Sequence, residues 1–141
     1  MSIPIEFGPD TEFSFERELR GYVEAVAKAV GVGPESCASD AGTPAAAYVA
    51  LDWRPARFPG HDLALVWDER HGWAAAIEGT AGDPSTVLAH LGGEAVPEPR
   101  AVVRFLAAVR AGDPGAGPSE APALREAGDH EQLLSALLAR Q

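Results

Sequence analysis

A chain of 141 residues is long enough for one compact domain with a single hydrophobic core and a short appendage. Aspartate and glutamate number 21 against 11 lysines and arginines, and the formal net charge of -10 repels nucleic-acid phosphates and anionic lipid headgroups. The composition therefore argues against nucleic acids and membrane surfaces as partners.

Cysteine content and hydropathy indicate the compartment. Cys37 is the only cysteine, which excludes an intrachain disulfide and a cysteine-based zinc cage and fits a reducing cytoplasm. The N-terminal residues lack a basic stretch followed by an apolar one, and no apolar run is long enough to span a bilayer. We therefore expect a cytoplasmic protein that is neither exported nor embedded in a membrane.

The N-terminal part contains one predicted helix. Residues 1–13 place apolar side chains between prolines and predict an irregular arm or a short edge strand. From the N-cap Ser14, apolar residues recur at three- and four-residue steps up to Val30, which predicts an amphipathic helix that ends at Gly31. The glycine–proline step and the polar stretch that follow, through residue 40, predict a loop.

Three segments predict the strands of a mostly antiparallel sheet. Residues 45–53, 62–68 and 72–79 alternate with the two-residue period of strands, and segment 62–68 is apolar on both faces, as central strands are. Proline and glycine between the first two segments predict a loop. The short segment 85–93 favours a fourth strand over a helical turn.

Two tryptophans flank a polar segment, residues 68–71, at the predicted hairpin tip. A three-residue loop over 70–72 places Trp67 and Trp73 on one face as diagonal neighbours, and a five-residue loop makes them direct partners. In both arrangements the rings touch. We therefore predict that the tryptophans pack in a buried face and that the polar tip is exposed.

A linker separates two further helices. Two prolines and an acid over 97–99 predict the start of the second helix, whose apolar stripe continues to Gly112. The glycine- and proline-rich segment 113–128 predicts a flexible linker. A capping box at the start of segment 129–141 predicts a short C-terminal helix, whose leucines need a surface to pack against.

These elements predict an α+β fold. It comprises an N-terminal helix, an antiparallel sheet of three to four strands, a second helix packing on the sheet, and a tethered short C-terminal helix. Residues 14–112 form the main domain. Because one layer of helices covers one sheet face, we expect the C-terminal helix, the N-terminal arm or another subunit to cover the second.

Several runs resemble an uncharacterised family. "RGYVEAVAKAVGV", "AYVALD", "FPGHDLALVWDERHGWAAAIE", "VLAHLGG" and "PEPRAVVRFLAAVRAG" are similar to small acidic actinobacterial (Streptomyces-type) proteins that share a domain of unknown function. The similarity covers about residues 19–112 and is most specific over 62–73. The resemblance implies no catalytic residues, cofactor or ligand. The order of elements also resembles secretion-chaperone-like and roadblock-like interaction modules, in architecture alone.

The polar motifs favour neither catalysis nor metal binding. Asp68, Glu69 and His71 have the chemistry of an acid–base group, but such residues at a hairpin tip are more often solvated. The histidines lack the close spacing of metal ligands, and no phosphate-binding glycine loop is present. We therefore expect no catalytic residue, no metal and no cofactor.

Three arginines have the chemistry of an anion clamp. Arg54, Arg57 and Arg70 are predicted near one end of the sheet, and planar guanidinium groups suit carboxylate or phosphate. In so acidic a chain, salt bridges are the simpler interpretation of these arginines.

Two functions of different classes follow from these features. The first is a non-catalytic protein-interaction or regulatory module that self-associates as a homodimer through an apolar sheet face and the C-terminal leucines. The second is a small-molecule-binding protein or minor enzyme with an aromatic-lined pocket between helix and sheet. The candidate binding residues are the aromatic Tyr48, Trp53, Trp67 and Trp73 and the leucines Leu133, Leu134, Leu137 and Leu138.

Overall fold

The fold is given by a computed structural model that describes residues 7–78 and 86–140, with side chains from residue 14 onward. The helices of these ranges are α1 (Phe7–Val30), α2 (Pro99–Arg110) and α3 (His130–Leu138), with a short 3-10 turn at Pro34–Ser36. The strands are β1 (Cys37–Asp40), β2 (Ala46–Ala50), β3 (Leu63–Asp68), β4 (Gly72–Ile77) and β5 (Thr86–His90). Predictions made for residues 1–6, 79, 85 and 141 lie outside the described residues.

The five strands form one antiparallel sheet in the order β1-β2-β3-β4-β5. The predicted α+β class is confirmed, and so is the strand favoured over 85–93. The predicted number of three to four strands is wrong by one, because β1 lies in a segment predicted as a loop. Its residues are small or polar and mostly exposed, so that pairing with β2, which side-chain alternation cannot reveal, makes this segment a strand.

Helix α1 begins seven residues before the predicted N-cap, at Phe7. Residues 7–13 are therefore helical where an irregular arm was predicted. Pro9 is compatible with this start, because the N–H groups of the first turn have no partner within the helix. The C-terminal end is as predicted, with Gly31 in a left-handed conformation at φ 95°.

The core lies between the helices and one face of the sheet. Val49, Leu65 and Trp73 belong to this face and are buried together with the apolar stripes of the helices. The predicted packing of the second helix on the sheet is confirmed, since α2 contacts β4. Full burial of each large apolar side chain contributes roughly 1.5 to 3 kcal/mol.

The opposite sheet face bears small apolar side chains and one tyrosine. We call it the helix-free face, because the buried side chains of the described helices belong to the core on the other side. Strand register places on it Tyr48, Ala64, Val66, Ala74 and Ala76. The C-terminal helix α3 packs on α1 and not on this face, where Ala64, Ala74 and Ala76 are buried and Tyr48 and Val66 are half-buried.

The segment between α2 and α3 follows the edge of the sheet. We call residues 113–128 the C-terminal strap. The His90 N–H donates to Pro118 O at 2.7 Å, and the Leu124 N–H donates to Arg70 O at 2.9 Å. The segment predicted as a flexible linker thus makes defined hydrogen bonds. The predicted cap of α3 is confirmed, since the Asp129 carboxylate accepts from the Gln132 N–H at 3.2 Å.

Helix length and hydropathy bear on membrane insertion. Within the described ranges, no helix combines the length and apolar character that crossing a membrane requires.

Candidate functional site

A cavity of about 480 Å³ lies where the loop after β2 meets β5 and the C-terminal end of α2. We call it the Trp53 cavity. The loop contributes two aromatic rings and one arginine, the strand a leucine, and the helix end a valine and a second arginine. The side chains that matter below are Trp53, Arg57, Phe58, Leu88, Val109 and Arg110.

Local structure explains how these side chains converge. The Leu63 N–H donates to Trp53 O at 2.8 Å, and the Phe58 N–H donates to Pro55 O at 2.9 Å, which fixes both ends of the loop segment that carries the rings. In the pairing of β4 with β5, Ala75 faces Ala89 and Ala76 faces Val87. Leu88 is therefore the extra residue of a bulge, and it lines the cavity together with Ala89.

Both arginines of the cavity stack on aromatic rings. The guanidinium carbon of Arg110 lies 5.4 Å from the centre of the Trp53 ring, and that of Arg57 lies 5.6 Å from the centre of the Phe58 ring. In the part of the chain that the structure describes, neither forms a salt bridge. Asp113 is the acid in the cavity lining, and its Oδ1 accepts from the Gly115 N–H at 2.8 Å.

The three arginines considered for an anion clamp do not come together, and two of them form the salt bridges that the sequence favoured. Arg54 Nε lies 2.9 Å from Asp62 Oδ1, just before β3 begins. Arg70 follows the end of the same strand, with its Nε 3.8 Å from Asp68 Oδ1. Arg57 alone of the three lines the Trp53 cavity, and Arg110, which supplies the second guanidinium, carries no signal in the sequence beyond its place at a helix end.

Trp67 and Trp73 are core residues. They are direct cross-strand partners, their ring centres are 6.5 Å apart, and both are buried. Trp67 Nε1 donates to Ala95 O at 2.7 Å, and Trp73 Nε1 donates to the Tyr22 hydroxyl at 3.0 Å. The predicted shared buried face is confirmed. Their packing satisfies both indole N–H groups, and Trp67 also lines a cavity beside the hairpin tip.

The predicted exposure of the hairpin tip is confirmed for Arg70, but it is wrong for Asp68 and His71, which are half-buried, and for Glu69, which is fully buried. Its Oε1 accepts from the Gly128 N–H at 2.7 Å and from Arg125 Nη1 at 2.9 Å. Its Oε2 accepts from the Ala45 N–H at 2.7 Å and lies 3.0 Å from His130 Nε2. The carboxylate thus anchors the end of the C-terminal strap and the start of α3.

Hydrogen bonding decides the charge state of Glu69. Burial alone raises the pKa of a carboxyl group, but the Ala45 and Gly128 N–H groups and the His130 ring stabilise the charged form. The pKa of Glu69 is therefore lowered, and the carboxylate is ionised at neutral pH. Sequence reasoning missed this group because three of its partners lie 56 to 61 residues away along the chain.

A second cavity, of about 380 Å³, lies beside the hairpin tip and contains Asp68, His71 and His90. His71 Nδ1 lies 2.9 Å from Asp68 Oδ2, which orients the ring. His90 is buried, its Nδ1 has no hydrogen-bond partner among the described residues, and burial together with the His71 charge lowers its pKa. Ser119 lines the same cavity and makes no hydrogen bond to His71 among the described residues.

The remaining candidate residues divide between core and surface. Leu133 and Leu137 are buried against the core, and Leu134 is partly buried beside it. Leu138 is 52% exposed, and Tyr48 is half-buried on the helix-free face. Among the residues that the structure describes, no three histidine, cysteine or acidic side chains form a potential metal site.

Comparison with known proteins yields one match. The model of a family of unknown function, DUF6292, matches residues 22–108. The match includes the five strands, the last nine residues of α1 and most of α2, whereas the C-terminal strap and α3 lie beyond it. No curated protein and no solved structure matches the chain.

Proposed function

The chain belongs to DUF6292, a family of unknown function, and from its geometry we propose that it is a non-catalytic small-molecule-binding protein whose ligand occupies the Trp53 cavity. The observation that carries this proposal is a cavity formed at the junction of three structural elements, in which aromatic rings meet the guanidinium groups that lie over them. Its size of about 480 Å³ is within the range of small-molecule sites, roughly 300 to 1,000 Å³.

The lining supports binding without catalysis. Among the described residues that line it, Asp113 is the only acid, and there is no histidine, cysteine, serine, threonine or lysine. A general acid–base pair or an activated nucleophile needs side chains of these types within hydrogen-bond reach of each other. The cavity offers apolar surface and cationic hydrogen-bond donors, which are features of recognition.

A neutral fluorescent probe tests the function independently of ligand charge. We expect N-phenyl-1-naphthylamine to bind with a rise in fluorescence, and Trp53→Leu to weaken binding by about tenfold or more because it removes the widest apolar wall. The matched control is Tyr48→Leu, which removes a half-buried aromatic ring from the helix-free face. Equal binding by both variants and the wild type would place the probe elsewhere and refute the site.

Self-association is the second candidate function, and the helix-free face favours it. Asp40 and Asp68 lie at one end of this face, the hairpin-tip end of the sheet, since both pair in register with Ala46. A second copy would present the same face, with its two aspartates at one end and apolar side chains beyond them. We propose a two-fold homodimer as the occupant of this face.

The amount of exposed apolar surface decides which of the two candidate functions ranks first. Stable interfaces bury roughly 1,200 to 2,000 Å² in total. Among the described residues, Leu138 is the large apolar side chain that is well exposed, and it lies on α3, on the other side of the molecule from this face. The homodimer therefore ranks second, and it stays a prediction, as do a cytoplasmic location and an actinobacterial origin.

A further inference from the structure

We propose that the Trp53 cavity selects aromatic monocarboxylates, with the carboxylate held between Arg57 and Arg110 and the ring system packed against Trp53 and Phe58. The inference rests on the proposed function and names the ligand class. Neither the family match nor any other comparison assigns a ligand to these residues.

The first support is the pairing pattern of the arginines. Arg54, Arg70, Arg125 and Arg140 each lie within salt-bridge distance of a carboxylate of this acidic chain. Arg57, Arg100, Arg104 and Arg110 have no such partner in the described ranges, and of these four Arg57 and Arg110 line the Trp53 cavity. Two guanidinium groups that share a cavity without a protein carboxylate provide the donors for a carboxylate that comes from outside.

The second support is the orientation that stacking imposes. A guanidinium group that lies over an aromatic ring uses its flat face, and the N–H groups around its edge remain available. These edge N–H groups form the parallel pair of hydrogen bonds that a carboxylate accepts. The positions of Arg110 over Trp53 and of Arg57 over Phe58 are compatible with donation from these edge N–H groups to a ligand in the cavity.

The charge balance favours a single negative charge. Arg57, Arg110 and Asp113 give the cavity lining a net charge of +1, within a protein whose net charge is -10. A phosphate monoester, with nearly two charges, is repelled more strongly by the protein as a whole than a carboxylate is. Leu88 and Val109 line the same cavity, which matches an apolar ligand body.

Isothermal titration of two isosteric probes tests the inference. We expect naphthalene-2-carboxylate to bind about tenfold or more tightly than naphthalene-2-carboxamide, because only the first carries a negative charge and two oxygens that accept from the guanidinium groups. Arg57→Gln and Arg110→Gln should each remove most of this preference. The control is Arg104→Gln, which changes an exposed arginine of α2 outside the cavity and should leave the preference intact.

Removal of the acid in the lining gives a second, opposite prediction. Asp113→Asn keeps an oxygen that can accept from the Gly115 N–H and removes a negative charge, so it should tighten carboxylate binding and leave carboxamide binding unchanged. A variant with unchanged carboxylate affinity would place the ligand's charge away from Asp113 and overturn the proposed position.

The outcomes distinguish failure of the proposed ligand class from failure of the proposed function. Equal affinities for carboxylate and carboxamide, both lost in Trp53→Leu, would overturn the carboxylate preference and retain the cavity as a binding site. Binding of neither probe, together with no binding of the neutral naphthylamine, would overturn both. A preference that survives Arg57→Gln and Arg110→Gln would show that other groups hold the carboxylate. Unchanged melting temperatures would show that these surface substitutions leave the fold intact.

Discussion

Glu69 shows how one side chain can connect distant parts of this chain. It lies between two strands of a hairpin, yet it binds groups from the start of β2, the C-terminal strap and α3. A buried carboxylate with this many donors is stable only while all its partners are in place, because each lost hydrogen bond leaves charge uncompensated. Glu69 thus makes attachment of the C-terminal segment part of the folding of the whole domain.

Replacement of Glu69 by glutamine tests this role. We expect Glu69→Gln to lower the free energy of unfolding by about 3 kcal/mol, because the carboxamide cannot compensate Arg125 and presents an N–H group to other donors. Glu94→Gln is the control, since Glu94 forms an exposed pair with Arg140 at 2.6 Å and its loss should cost less than about 1 kcal/mol. Urea unfolding measures both, and equal losses would contradict the role of Glu69.

The lowered pKa of Glu69 also predicts a pH dependence. A carboxyl group whose pKa is lower in the folded state contributes stability above its unfolded pKa and loses it as pH falls through the folded pKa. The stability difference between wild type and Glu69→Gln should therefore be constant near neutral pH and shrink below about pH 4. A difference that grows on acidification would mean that Glu69 is protonated in the folded protein.

At the scale of elements, the sequence predicts the helices and strands whose apolar residues recur with the period of a helix or of a strand. The apolar stripes of α1 and α2 and the alternation of β2 to β4 identify these elements, and the parity of the hairpin loop places Trp67 and Trp73 on one face. Strand β1 and the bulge at Leu88 escape prediction because hydrogen bonding to neighbouring strands defines them. The C-terminal strap escapes for the same reason, since its partners include Glu69 and His90.

The attachment of α3 to α1 predicts a contrast between two leucines of one helix. Leu137 is fully buried, and Leu137→Ala should cost about 2 to 5 kcal/mol because it removes buried methyl groups and leaves a cavity. Leu138 is 52% exposed, and Leu138→Ala should cost less than about 0.5 kcal/mol. Thermal unfolding of the two variants compares them, and similar melting temperatures would show that α3 does not stabilise the domain.

At the scale of the whole molecule, the candidate site depends on how distant segments meet. Residue chemistry alone predicts Trp53 as a binding residue and offers Arg57 for an anion clamp, although it favours salt bridges for that arginine. It does not identify Phe58, Leu88 and Arg110, because the loop, the bulged strand and the helix end come together only in the folded chain. The family match covers Trp53 and Leu88, and it ends two residues before Arg110.

The net charge of -10 predicts how a homodimer responds to salt. Two copies repel each other at low ionic strength, and added salt screens this repulsion while contact between the apolar helix-free faces is little affected. The dimer fraction measured by sedimentation velocity should therefore rise with sodium chloride.

Tyr48→Glu, which places a charge on the helix-free face, should give monomers at every salt concentration. Leu138→Glu, on α3, should dimerise like the wild type. Loss of dimers in Leu138→Glu alone would move the interface to α3, and a wild-type chain that stays monomeric at high salt would exclude the homodimer.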